Sequence, residues 1–145
     1  MFEIHIQLKG TSVEDNDIDS LLIDFLSSIG YIDEPKDSSD SEEIKRGVPY
    51  RLFKECFLLR SDRYWTPDEM MGVLSTTRPT LYRHLNRLKT LDILEEKAMG
   101  KERAYRLKYG SLSSSWNFVE ANVKIALDHY RKKIERIERL AGVKK

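Results

Sequence analysis

Between Thr76 and Lys89 the chain sets three threonines, three arginines, a lysine, an asparagine and a tyrosine, with no carboxylate among them. These are groups suited to reading nucleic acid. An arginine can donate two parallel hydrogen bonds to guanine O6 and N7, and an asparagine can pair with adenine N6 and N7. Hydroxyls and free amides at a helix start hold a phosphate. At 100° per residue, Leu81, His84, Leu85, Leu88 and Leu91 share one side of a helix. Pro79, Tyr82, Arg83, Asn86 and Thr90 take the opposite side, with Arg78, Arg87 and Lys89 on the flanks. Thr76, Thr77 and Thr80 stand at the start. Taken alone, such a face is also what a solvated amphipathic helix shows, so the neighbouring elements decide.

Upstream, Thr66-Pro67-Asp68-Glu69 has the residue types of a capping box with proline in the first turn. Met70, Met71, Val73 and Leu74 follow, and the run stops at Ser75-Thr76-Thr77. Thr77 and Pro79 then open a second helix. Two helices this short cannot bury their apolar faces alone. The geometry suggested is helix-turn-helix, whose second helix enters the DNA major groove. Downstream, residues 92–98 and 103–107 are strand-like runs around a Gly100 turn. They read as a β-hairpin carrying Lys97, Lys101, Arg103 and Arg106.

The stretch TRPTLYRHLNRLKTLDILEEKAMGKERAYRL ends its helix in L-x-x-L and steps through L-D-I-L-E-E into a charged hairpin. It resembles the recognition helix and wing of winged helix-turn-helix transcription regulators, of the broad MarR/ArsR/PadR type. The likeness spans residues 48–109. It implies a recognition helix over 78–91 in the major groove and a wing over 97–106 on the backbone or minor groove. By position it assigns Thr77, Arg78, Thr80, Tyr82, Arg83, Asn86 and Arg87 to the first, and Lys101 and Arg103 to the second. Thr76 and Lys89 complete the candidate DNA-binding set. The paired cysteines of an ArsR-type metal site are absent, so metal sensing is not implied.

The remaining segments must position this unit. Residues 2–9 alternate Phe2, Ile4, Ile6 and Leu8 with polar residues, the pattern of a half-buried strand. It could pair with the hairpin, pair with a second protomer, or pack on its own domain. Residues 10–16 read as a polar connection. Residues 17–29 form an amphipathic helix ended by Gly30. The acidic, serine-rich stretch 33–46 predicts disorder or a mobile loop, with competition against DNA for the basic face as one use. Residues 48–60 supply a third helix, with Cys56 as a small core residue. From Ser115 to Ala141 a long helix repeats Trp116, Val123, Tyr130 and Ile137 every seven residues, with Leu127 and Ile134 between them. That heptad stripe predicts a helix–helix seam, which could pack within the monomer; the resemblance to winged-helix regulators, which often dimerise through a terminal helix, favours a seam joining two copies.

Composition narrows the classes. The net charge of +1 hides a segregation of −9 over residues 1–45, +6 over 46–109 and +4 over 110–145, a split that favours nucleic acid as partner. One cysteine excludes an intramolecular disulfide, no apolar run spans a bilayer, and the first residues lack a signal-peptide pattern. A cytoplasmic location is the expectation. No phosphate-binding glycine loop, nucleophile motif or metal-ligand spacing is present, so neither an enzyme nor a cofactor is expected. The expected fold is α+β, mainly α. A strand-helix extension (1–32) and an acidic linker (33–47) precede the winged helix-turn-helix (48–109), and a dimerisation helix (110–145) follows. The expected function is sequence-specific double-stranded DNA binding by a homodimeric transcription regulator. The alternative is a winged-helix protein-interaction module. A third reading is a ligand-responsive regulator, with a small-molecule effector pocket between the N-terminal strand-helix unit and the C-terminal helix; the residues name no effector.

Overall fold

The computed structural model describes residues 2–7 and 16–143. In chain order it contains α1 (Ile18–Ser28), α2 (Ser38–Arg46) and α3 (Val48–Arg51) with a π-helical continuation, Leu52–Leu58. Then come α4 (Pro67–Leu74), α5 (Arg78–Thr90), the strands β1 (Leu94–Met99) and β2 (Glu102–Leu107), and α6 (Leu112–Leu140). The continuation of α3 is the centre of the core. Its wide turn, closed by the Leu59 N–H on the Lys54 carbonyl at 2.9 Å, helps bring Leu52, Phe53, Cys56 and Phe57 all to 0% exposure.

Local chemistry sets the helix-turn-helix. Thr66 accepts the Glu69 N–H at 3.3 Å, and the Glu69 carboxylate accepts the Thr66 N–H at 2.9 Å. Both halves of the capping box are therefore made. Ser75 ends α4 in the left-handed region at φ 51°, turning the chain sharply. Thr77 then caps α5 by accepting the Thr80 N–H at 3.4 Å. In the hairpin, Leu94 faces Leu107 and Met99 faces Glu102, with Gly100 at φ +65° supplying the turn. Trp65 and Tyr105 exchange two backbone hydrogen bonds, each 2.8 Å. This bridge fastens the start of α4 to β2. The result is a winged helix-turn-helix.

Two segments differ from the sequence reading. Residues 2–7 form no strand and pair with none among the described residues. The Glu3 N–H donates to the Thr90 carbonyl at 2.7 Å and the Gln7 N–H to the Ser28 carbonyl at 3.0 Å. Those acceptors end α5 and α1, where helix carbonyls lack an internal donor. Helix ends thus satisfy the backbone that a strand neighbour would have satisfied; residues 8–15, with most of the expected connection, lie outside the described residues. The acidic stretch is not a loop: residues 38–46 form α2. Asp37 caps it by accepting the Asp40 N–H at 2.9 Å. Its acids lead and Lys45-Arg46 close, matching the helix dipole. Ile44 supplies an apolar anchor against the core, and α2 packs on α1 and α3.

Helix α1 is tied to α3 through Asp19, which accepts from Lys54 at 2.6 Å and from the Tyr50 hydroxyl. The bond from Lys54, then that from Tyr50, holds the Asp19 carboxyl below its usual range. Phe25 meets Trp116 edge to face at 5.3 Å, which seats the start of α6 on α1. Only that start is covered. Ser115 and Val119 are buried and Trp116 and Val123 half-buried, whereas Leu127, Tyr130, Ile134 and Ile137 are 47–63% exposed. Among the described residues no helix is long and apolar enough to cross a membrane.

Candidate nucleic-acid interface

The inner face of α5 is fixed by Leu81, Leu85 and Leu88, all at 0% exposure, and by His84. Burying that face forces the opposite one outward. Arg83 and Asn86 lie on it, exposed, and neither makes an ion pair or side-chain hydrogen bond among the described residues. His84 Nδ1 has no hydrogen-bond partner among the described residues. Burial first, then the Arg83 and Arg87 cations, pushes the imidazole below its ordinary pKa. The ring is therefore a neutral packing group.

The other candidates are already engaged. Arg78 pairs with Asp68 at 2.8 Å across the turn between the two helices, and its guanidinium lies 5.9 Å from the Tyr82 ring. Both partners of that pair are at least half exposed, so the contact is weak and open to exchange with a phosphate. Tyr82 is half-buried against the core. Thr77 and Thr80 share a hydroxyl hydrogen bond of 3.1 Å at the helix start. The Thr76 N–H donates to the Met71 carbonyl at 3.2 Å. Arg87 donates to the Gly30 carbonyl at 3.0 Å and lies 5.7 Å from the Tyr31 ring. Lys89 bonds the Tyr105 hydroxyl at 3.2 Å, which turns it toward β2.

On the hairpin, Lys101 is exposed at the turn, and Arg103 faces Glu96 at 3.4 Å. Glu95 at its base accepts from Arg106 and, at 2.9 Å, from the Tyr64 hydroxyl. Burial opposes ionisation of Glu95, but Arg106 and Tyr64 prevail and hold its carboxyl below the usual range. Lys97 lies 4.3 Å from the Tyr64 ring. The outward side of α5 and the hairpin tip thus present Arg83, Asn86 and Lys101 free of internal partners among the described residues, with Arg78 and Arg103 in exposed pairs.

Reading the sequence did not connect Glu3, His5, Gly30 and Tyr31 with this region. Together with Asn86, Arg87 and Thr90 they line a cleft of about 330 Å³ along the second half of α5. No local signal marks them, because the contact joins residues 57 apart. The thiol of Cys56 is buried and pushed up to about 12 by that burial. No three His, Cys, Asp or Glu side chains come together to hold a metal ion among the described residues.

No family model and no curated protein matches the sequence. Among solved structures, an ArsR-like transcriptional regulator from Rhodococcus sp. RHA1 is similar at 16% identity. The alignment covers 69% of this chain and 88% of that one, with a TM-score of 0.39. At that distance the assignment to the winged-helix class rests on the geometry above.

Proposed function

We propose that the chain is a transcription regulator that binds double-stranded DNA sequence-specifically as a homodimer. Helix α5 enters the major groove, and residues 97–106 lie on the backbone or in the minor groove. The observation that carries this reading is the pair Arg83 and Asn86, exposed and free of internal partners among the described residues, on the outward face of a helix whose inner face is sealed. Arg83 is the candidate reader of guanine and Asn86 of adenine. Thr76, Thr77, Thr80, Arg78, Lys101 and Arg103 supply phosphate contacts, and Tyr82, Arg87 and Lys89 hold the helix in register.

The second copy docks along α6. Leu127, Tyr130, Ile134 and Ile137 sit at alternating seam positions and are uncovered in the single chain. In a parallel seam Lys133 faces the partner's Glu138, five residues on, so the flanking charges agree with self-association. Trp116 and Val123 support the seam from its root.

The test is selection from a pool of random duplex DNA at two salt concentrations, with Arg83→Ala alongside. A palindromic motif is expected. Arg83→Ala should cost about 1–3 kcal/mol and relax preference at one base position. Lys101→Ala should weaken binding to all sequences alike, with a shallower salt dependence. If Arg83→Ala keeps both affinity and preference, the groove assignment is wrong. Unselective binding that vanishes at modest salt would favour a protein partner instead.

A further inference from the structure

The outward face of α5 is divided. Its first half, through Arg83, is open to solvent. Its second half, with Asn86, Arg87 and Thr90, forms a wall of the cleft that Ile29, Gly30 and Tyr31 and two residues of the N-terminal arm, residues 2–7, also line. Glu3 and His5 of the arm line that cleft, and they face each other at 3.5 Å. The arm therefore brings the Glu3 carboxylate into the same cleft as Arg87.

Its attachment is slight. Among the described residues its backbone bonds run to Thr90 and Ser28, helix-terminal carbonyls that water satisfies equally well. Phe2 and Ile4 are half-buried, whereas Glu3, His5, Ile6 and Gln7 are exposed. Segments with few buried contacts open at low cost, independently of global unfolding.

We propose that the arm is a displaceable strap over the second half of α5. Docked, it stands beside the exposed Asn86 and Arg87 and keeps a duplex from seating on that half of the helix; released, it lets the whole outward face enter the groove. DNA binds the released state better, so the docked arm lowers apparent affinity in proportion to the fraction released. The inference rests on the DNA-binding reading above and adds the regulation of that same surface.

The experiment pins the arm. Glu3→Cys/Thr90→Cys is joined by a short bismaleimide, with the chain's own Cys56 buried out of reach. Linked and unlinked protein are titrated against the duplex enriched from the random pool. The linked form is expected to bind about tenfold or more weakly. Phe2→Ser/Ile4→Ser, which undocks the arm, is expected to bind several-fold more tightly than the wild type. Equal affinity of linked and unlinked protein overturns the strap. If the wild type binds no duplex under any condition, the DNA reading has failed and the strap has no surface to regulate.

Discussion

Helices α5 and α6 both repeat apolar residues at three- and four-residue steps, yet one stripe is sealed and the other stands in water. Leu81, Leu85 and Leu88 of α5 are at 0% exposure, while Leu127 and Ile137 of α6 are at 61% and 63%. The difference lies in what each helix finds within the chain. Helix α5 meets α3 and α4. Helix α6 is seated by Phe25 and the core only near its start. A helix of 29 residues runs about 43 Å, and most of that length has no cover among the described residues. Helical periodicity announces that a face is to be covered; it does not say by which chain.

The largest consequence concerns the sealed stripe. Leu85→Ala removes packed methyl groups from a site without solvent access, and should lower the unfolding free energy by about 2–5 kcal/mol. Leu127→Ala, measured by the same urea titration on dilute monomer, should stay within about 0.5 kcal/mol of wild type. Comparable losses at the two positions would erase the contrast.

Next in size is the effect of the uncovered stripe on association. Burying a leucine or isoleucine in a seam is worth about 1.5–3 kcal/mol relative to leaving it in water. Ile134→Ala should therefore weaken self-association by about 2 kcal/mol per chain, read by sedimentation velocity. The wild-type melting temperature should rise with protein concentration, because binding between folded copies stabilises them. A concentration-independent melting temperature, with a monomer at every loading, would leave the stripe to a different partner.

What was legible in the sequence follows the range of the forces involved. The capping box of Thr66 and Glu69, the Thr77 cap and the Gly100 turn each act within a few residues, so the helix-turn-helix and hairpin were readable. The outward aim of Arg83 and Asn86 followed from the 100° step alone. The alternation of the arm records two environments without naming the neighbour: of the partners it allows, the arm takes its own domain, with a pair of helix ends in place of a strand. Helix α2 was missed because composition weighs hydrophobicity, whereas a short helix here needs only the Asp37 cap and Ile44 as anchor. The ties of Arg87 to Gly30 and of Lys89 to Tyr105 join distant positions, and no local pattern encodes them. The same holds for the contact of Trp116 with Phe25.

The smallest effect falls on the one imidazole of the sealed stripe. His84 is 7% exposed, and burial, reinforced by Arg83 and Arg87, holds its pKa below the ordinary 6.5. The unfolded chain therefore takes a proton, as pH falls, that the folded chain still refuses. Stability is full above the unfolded value and declines from there until the folded value is passed. Asp19, Glu69 and Glu95 are held below the carboxylate range and lose their contribution only at more acidic pH. A window from about pH 7.5 to about 5.5 thus isolates the imidazole. The urea midpoint of the wild type should fall across it, and that of His84→Gln should fall less. An unchanged wild-type midpoint would mean that water reaches the inner face of α5 more freely than its leucines imply, which would narrow the contrast with α6.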